Sequence, residues 1–392
     1  MRGIETVCGT VVYLDNAATS FPKPPEVAAA IGHWLGRVGG SPGRSGHRLS
    51  TESARMVFET REAVASLLGV ASSRQVVFTK NATEALNLAL SGFLRRGDRV
   101  VTTSVEHNSV MRPLRALAAG GAIELSVVPC GPDSRLEVGK VAAALTPGTR
   151  LLVATHASNV TGVLMPLTEL GALCRERGVR FLVDAAQTAG AVPLDMAGQG
   201  IDLLAFTGHK SLLGPPGTGG LCVAEDLLLE PLLRGGTGSN SEQEAQPETM
   251  PDRLEAGTQN TAGLAGLKAG VEFILRTGVG VIREREEAVT GRLLDGVRRI
   301  PGVTLHGPGE PELMAPVISL NLAGLAPSEA GFLLDEGYGI LCRVGLQCAP
   351  SAHRTIGTFP GGTVRLSPGF FTTEEDVEAA LAAIRALASR RG

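Results

Sequence analysis

Lysine is scarce in this sequence, with only Lys23, Lys80, Lys140, Lys210 and Lys268, so any chemistry that needs a primary amine has few candidates. Lys210 ends the run Phe206-Thr207-Gly208-His209-Lys210, directly after an apolar stretch and before the turn sequence Gly214-Pro215-Pro216-Gly217. An amine at the carboxyl end of a strand, beside a hydroxyl, a glycine and an imidazole, can reach a carbonyl cofactor while its neighbours hold a phosphate. A solvated loop lysine fits the same residues, because a lysine pKa falls only in particular surroundings. Asp184 and Gln187, in Val183-Asp184-Ala185-Ala186-Gln187, end the preceding apolar run. A carboxylate there can face the nitrogen of a heteroaromatic ring and keep it protonated as an electron sink, with Gln187 on a ring oxygen. The alternative is an aspartate that caps a following helix, in one βα unit before Lys210.

Two further strand-to-helix junctions carry polar residues. Lys80-Asn81-Ala82-Thr83-Glu84 offers free backbone N–H groups and a hydroxyl at a helix start, which suits an anion, although capping alone explains Thr83 and Glu84 as well. Ser104-Val105-Glu106-His107-Asn108 places an imidazole where it can lie over a planar ring and exchange protons, or be structural. Near the C-terminus, Arg343-Val344-Gly345-Leu346-Gln347-Cys348-Ala349-Pro350 and Arg365-Leu366-Ser367 bring two guanidinium groups and a thiol. Arginine's planar fork suits a carboxylate, and cationic surroundings stabilise a thiolate; a single cysteine also serves as an inert buried hydrophobe.

These residues need a scaffold that aligns strand ends. Seven short apolar runs, at 75–79, 98–104, 123–129, 150–156, 180–186, 202–207 and 219–224, are spaced by helix-length segments. Continuous apolar strands in an α/β rhythm predict a mostly parallel sheet covered on both faces, whose ligands sit beyond the carboxyl ends of the strands. A polar, glycine-rich stretch from Arg234 to Asn260 has no clear period and reads as a functional or intersubunit excursion. Beyond it come a helical segment over 262–299 broken near Gly278 and Gly280, strands near 317–323 and 362–368, and a last helix from Thr373, opened by an acidic first turn. The expected organisation is a large domain at 20–262 and a smaller α+β domain made of 1–19 and 263–392 that carries Cys348.

Composition narrows the partners. A net charge of −3 without a basic run, and only two tyrosines, argue against a nucleic-acid surface; 43% hydrophobic residues with 19% charged ones exclude disorder. The six cysteines (Cys8, Cys130, Cys174, Cys222, Cys342, Cys348) show neither a CxxC pair nor zinc-ligand spacing, so no metal is expected. With no apolar run of membrane-spanning length and no secretory pattern at the start, a cytoplasmic protein with reduced thiols is expected, without a membrane partner.

Taken in order, the motifs resemble the class V aminotransferase superfamily, and within it the cysteine desulfurase/selenocysteine lyase family. The resemblance runs nearly end to end, through Tyr13-Leu14-Asp15-Asn16-Ala17-Ala18-Thr19, NATEALN, EHNS, HASNVTG, VDAAQ, FTGHK and Arg253-Leu254-Glu255-Ala256-Gly257-Thr258-Gln259-Asn260. It implies the aspartate aminotransferase-like fold of pyridoxal 5′-phosphate (PLP) enzymes, with Lys210 holding PLP as a Schiff base. By the same resemblance His107 stacks on the ring, Asp184 meets its nitrogen and Gln187 its phenolic oxygen. The phosphate falls to the Ala82 backbone, Thr83, Thr207 and His209, and Thr258 completes the site of the neighbouring subunit in a homodimer. Asn159 and Arg365 would hold the substrate α-carboxylate.

Cys348 falls where the second, SufS-like group of that family keeps its sulfur-accepting cysteine, in a short Arg-x-Gly-x-x-Cys-Ala segment. The implied reaction converts L-cysteine to L-alanine: Lys210 moves the α-proton, Cys348 takes the sulfur as a persulfide with His107 handling the thiol proton, and a reductant or acceptor protein then removes the sulfur. In place of the usual histidine pair before the cysteine stands Leu346-Gln347, and His353 follows on the other side. Selenocysteine lyase activity on L-selenocysteine, another class V aminotransferase or β-lyase reaction, and a non-catalytic PLP-bound sulfur-relay scaffold stay open on sequence.

Overall fold

A computed structural model describes residues 4–6, 9–43, 45–239 and 244–389. Cys8 and part of the 234–260 excursion lie outside the described residues. The chain opens with β1 (Ile4–Thr6), β2 (Gly9–Tyr13) and the helices α1 (Pro25–His33) and α2 (Arg48–Leu68). The main sheet follows: β3 (Val76–Thr79), β4 (Asp98–Thr103), β5 (Ile123–Val128), β6 (Thr149–Thr155), β7 (Arg180–Asp184), β8 (Leu203–Thr207) and β9 (Gly219–Val223). Each coincides with one of the seven apolar runs. Between them lie α3 (Ala82–Phe93), α4 (Asn108–Ala119), α5 (Val138–Ala144) and α6 (Leu167–Arg177).

The spatial order is β3-β9-β8-β7-β6-β4-β5, and only β9 runs against its neighbours. Side chains alternate across a strand, so a strand that is apolar at every position must be covered twice. Leu152, Ala154, Val183 and Phe206 join one core beside α2 and α6, while Leu151, Val153, Leu182 and Ala205 join the other beneath α3 and α4. This double covering fixes the sheet's register, since a slip of one residue would exchange the two faces.

One connection departs from the sequence reading. Between the parallel strands β7 and β8 residues 185–202 form turns, so no helix follows Asp184. Gly190 at φ +94°, Pro193 and the Gly198/Gly200 pair interrupt what a helix would need. Asp184 therefore caps nothing; its Oδ1 accepts the Ala186 N–H at 3.0 Å in a tight turn.

After the excursion, α7 (Thr261–Thr277) packs on α1 and α2, and Gly278 at φ +87° separates it from α8 (Val279–Arg298), which continues through Gly280. The rest of the chain supplies β10 (Val303–His306), β11 (Ile318–Leu322), α9 (Pro327–Tyr338), β12 (Ile340–Leu341), β13 (Arg343–Gly345), α10 (Pro350–Thr355), β14 (Thr363–Leu366) and α11 (Glu374–Ser389). An antiparallel sheet in the order β10-β11-β14-β13 packs on α8, α9 and α11 through a separate core that includes Leu293, Leu320, Leu334, Val364 and Ile384. β12 pairs in parallel with β2, which brings the N-terminal strand to this layer. The acidic start of α11 is a reciprocal cap: Asp376 N–H donates to Thr373 Oγ1 at 3.2 Å and Thr373 N–H to Asp376 Oδ2 at 2.9 Å.

The Glu255 loop is tied to the main sheet by a buried ion pair. Glu255 accepts from the Arg61 guanidinium, from Phe78 N–H at 2.6 Å and from Gln259, and Arg61 also stacks 4.5 Å over the Phe78 ring. Leaving one charge of such a pair buried alone costs about 3–5 kcal/mol. Glu255→Ala is therefore expected to lower unfolding stability by about that amount, read from the denaturant midpoint at an unchanged slope.

Candidate active site

The strand ends converge as the parallel sheet requires. Lys210 follows β8, Asp184 ends β7, His107 and Asn108 follow β4, and Ala82–Thr83 open α3 after β3. The Thr207-Gly208-His209-Lys210 corner is held by two backbone bonds, Gly208 N–H to Thr218 O and Gly214 N–H to Gly208 O, each 2.8 Å. A Cβ at position 208 would lie 2.1 Å from Thr218 Oγ1, so the corner closes only with glycine. The His209 carbonyl accepts from Ser20 N–H, Thr19 Oγ1 and Lys23 Nζ at 3.0–3.1 Å, which clamps the segment from the N-terminal side.

Burial pushes the Lys210 ammonium down to about 8; the guanidinium groups of Arg365 and Arg343 push the same way, while Asp184 and Cys348 oppose it. Asp184 is 4% exposed, and burial raises its carboxyl pKa against the pull of the Ala186 N–H and the Lys210 charge. His107 caps α4: its Nδ1 accepts from Ser109 N–H at 3.0 Å, which leaves the ring hydrogen on Nε2 when the ring is neutral. Burial and then the Lys210 charge lower its pKa to about 4, with Arg343, Arg112 and Arg365 acting in the same direction, so the neutral ring prevails at pH 7.

The α3 cap is Asn81, whose Oδ1 accepts Glu84 N–H at 2.9 Å, while Glu84 Oε2 accepts Lys80 N–H at 2.6 Å. Capping thus accounts for Glu84 and leaves Thr83 with another task. Thr83 Oγ1 lies 2.7 Å from Ser109 Oγ, which is 2.9 Å from His107 Nδ1. Thr207 Oγ1 is buried with no hydrogen-bond partner among the described residues. An unpaired buried hydroxyl costs free energy unless a ligand meets it. Together with Thr83 and the first-turn N–H groups of Ala82 and Thr83, which have no intrahelical acceptor, it is a donor set suited to a phosphate.

Arg365, 1% exposed on β14, is the largest fully buried side chain among the described residues. Its Nη2 pairs with Asp15 Oδ1 at 2.8 Å, its Nη1 donates to Asn159 O at 2.9 Å, and its Nε is buried without a partner. Asn159 Nδ2 donates to Gln347 O at 2.7 Å. Gln347 and Cys348 lie in the left-handed region at φ +43° and +60°, where a residue with a side chain costs about 1–2 kcal/mol. This turn leaves Cys348 exposed, with Arg343 Nη2 3.7 Å from its Sγ and its carbonyl accepting Asn108 N–H at 2.8 Å. The thiol-bearing turn is thereby bonded to the residue that follows His107.

Gln187 is buried, its Nε2 donating to Ala17 O at 3.1 Å, and it lines with Lys210, Asn16 and Ala17 a small cavity of about 30 Å³. Thr258 stands apart: it is exposed on the Glu255 loop and lines a cleft with Phe78, Lys80 and Leu254. Sequence reasoning did not single out Asp15, Ser109 or Lys23. Asp15 sits inside the YLDNAAT run and Lys23 among five lysines, but their partners are set by tertiary contact alone. Among the described residues there is no grouping of three or more His, Cys, Asp or Glu arranged for a metal, and no helix long and apolar enough to cross a membrane.

Known proteins share this architecture over nearly all of the chain. Residues 12–380 match the class V aminotransferase family. A probable cysteine desulfurase of Methanothermobacter thermautotrophicus is 35% identical over 94% of this chain and 92% of its own, and a cysteine desulfurase of Salmonella agona is 32% identical over 95% and 92%. The apo structure of a cysteine desulfurase from Thermococcus onnurineus superposes with a TM-score of 0.91 at 34% identity, covering 97% of this chain and 95% of that one. A cysteine desulfurase of Escherichia coli gives 0.86 at 29% identity over 96% and 94%. The chain belongs to the class V aminotransferase family, among its cysteine desulfurases.

Proposed function

We propose that this chain is a PLP-dependent cysteine desulfurase that converts L-cysteine to L-alanine and takes the sulfur on Cys348. The observation that carries the reading is the placement of Cys348: an exposed thiol 3.7 Å from an Arg343 nitrogen, on a turn bonded to Asn108 beside His107. An inert cysteine would be buried, as Cys174 and Cys222 are.

The site residues fit PLP by their chemistry. The unpaired Thr207 hydroxyl, Thr83, His209 and the Ala82 backbone would hold the phosphate, Lys210 the aldehyde carbon, Asp184 the ring nitrogen, Gln187 the phenolic oxygen and His107 the ring face. When bound, PLP supplies an electron sink for charge developed at the substrate α-carbon. Arg365 and Asn159 orient the α-carboxylate, with the free Nε of Arg365 as one donor. Lys210, whose proton affinity is tuned to about 8, can both take and return a proton at the α-carbon near neutral pH. The Cys348 thiolate attacks the substrate sulfur. The carbon–sulfur bond breaks with its electron pair on carbon, which is protonated to alanine, and Cys348 is left as a persulfide. His107, neutral at pH 7 with its hydrogen on Nε2 and its Nδ1 already accepting Ser109 N–H, offers a ring N–H to the substrate sulfur rather than a lone pair for its proton. An external thiol or an acceptor protein then removes the sulfur.

On the same reading the protein is a homodimer in which Thr258 reaches the neighbouring phosphate, residues 1–19 and 263–392 form a unit that carries Cys348 and Arg365 over residues 20–262, and the free thiols work in the cytoplasm. The test is to supply L-cysteine and a reductant and to quantify alanine, sulfide and pyruvate. Equal alanine and sulfide support the proposal; pyruvate, or turnover of L-selenocysteine alone, overturns it. Arg365→Lys keeps the charge but loses the planar fork. At about 1.5–3 kcal/mol for a charge-assisted bond, it is expected to raise KM for L-cysteine roughly 10- to 100-fold, measured from initial rates of alanine formation.

A further inference from the structure

The left-handed turn at Gln347–Cys348 is held from behind by a group that the reaction does not consume. His353, fully buried on α10, has Nε2 2.7 Å from Gln347 Oε1 and Nδ1 2.7 Å from Thr358 Oγ1. The roles are fixed by the far end of the glutamine: its Nε2 donates to Thr363 O at 3.1 Å, so Oε1 must accept. His353 therefore carries its hydrogen on Nε2 and receives the Thr358 hydroxyl on Nδ1. Burial, with the charge of His306 as a smaller cause, lowers its pKa to about 4, which keeps it in that neutral tautomer at pH 7. Beyond Gln347 the bonds continue: Gln347 O accepts Asn159 Nδ2 at 2.7 Å, and Asn159 O accepts Arg365 Nη1 at 2.9 Å.

We propose that His353 is a positioning residue for sulfur transfer: through Gln347 it holds the strained turn and sets the Cys348 thiol at a fixed place relative to the Asn159–Arg365 carboxylate grip. The inference rests on the desulfurase reading. A carboxylate fixed at one end of a small amino acid leaves its sulfur in one place, so a thiol that must attack in line needs a turn that does not wander. A residue with a side chain stays in the left-handed region only while its surroundings over-determine it. Gln347 has that support on three sides, from His353, Thr363 and Asn159. The side-chain hydrogen bonds of His353 go to Gln347 and Thr358, and not to Cys348 or to the Asp15–Arg365 pair.

The experiment compares wild type, His353→Leu and His353→Gln as PLP-loaded full-length proteins. Leucine fills the space without a donor; glutamine returns an amide N–H near the Nε2 position. Two quantities are read: kcat and KM for alanine formation from L-cysteine, and amide hydrogen exchange in the peptide spanning residues 343–352 without substrate. We expect H353L to lose at least about tenfold in kcat with KM within about threefold, and exchange at least about tenfold faster, with H353Q recovering most of both. Unchanged exchange in H353L overturns the positioning role whatever the enzyme does with cysteine. So does faster exchange with an unaltered kcat. If H353L does not fold, H353Q alone decides: kcat within about threefold of wild type is expected, and a loss of tenfold or more overturns the proposal. Wild type that makes no alanine from L-cysteine overturns the desulfurase reading separately, since the exchange comparison needs no turnover.

Discussion

Lys210→Ala is expected to lower alanine formation from L-cysteine by about 1,000-fold or more, because on the proposed reading one substitution removes both the covalent hold on the cofactor and the base at the α-carbon. Borohydride reduction followed by peptide mapping should place the cofactor on the peptide containing Lys210 in wild type and nowhere in the variant. Retained turnover, or a label on Lys23, whose amine lies close by against the His209 carbonyl, would move the assignment. The titration of Lys210 gives a second reading of the same residue. Only the unprotonated amine attacks an aldehyde, and an amine with a pKa near 8 is roughly one-tenth free at pH 7. Cofactor uptake by apoprotein should therefore accelerate about tenfold per pH unit on the way to pH 8 and level off above it. An exposed lysine would keep accelerating to about pH 10.

Cys348→Ala is the second large effect. Alanine and sulfide should both fall by about 100-fold or more, since no other described cysteine is exposed to take the sulfur. Binding of L-cysteine, followed as a change in the cofactor absorption band, should survive within a few fold, because Arg365, Asn159 and Lys210 are unchanged. That split separates sulfur transfer from substrate capture. Loss of both together would mean that Cys348 supports the site structurally. Full activity toward L-selenocysteine in the variant, beside none toward L-cysteine in wild type, would favour the lyase alternative. A variant that retains alanine production would leave the Arg343 contact without a catalytic purpose.

The main sheet was legible because its strands are apolar at every position and bounded by turn residues, a pattern that little else produces at this length. The strand ends followed from the sheet, and with them Lys210, Asp184, His107 and Thr83, since parallel strands deliver their carboxyl ends to one edge. The β7–β8 crossover was misread: its length suits a helix, and Gly190 and Pro193 decide otherwise. The Asn81 cap also hid in plain sight beside Thr83, as both are polar residues at one junction. Long-range side-chain pairing stayed out of reach. Nothing about Asp15 announces a guanidinium partner on β14, and Gln347 before Cys348 shows only the loss of a histidine until His353 appears behind it. Those contacts depend on how two separately cored layers meet, which local propensity does not encode.

The Asp15–Arg365 pair joins positions 350 residues apart, and Asn16 and Ala17 are bonded to Ser367 over the same span. In synthesis from the N-terminus the first residues of this contact wait for nearly the last. All seven main-sheet strands are made by Val223, but the Asp15–Arg365 pair cannot form until β14 has left the exit tunnel. A chain truncated before residue 363 would lack β14 and with it the Arg365 partner of Asp15. Among the described residues, the pairing of Asp15 with Arg365 is therefore one of the last contacts that synthesis from the N-terminus can make.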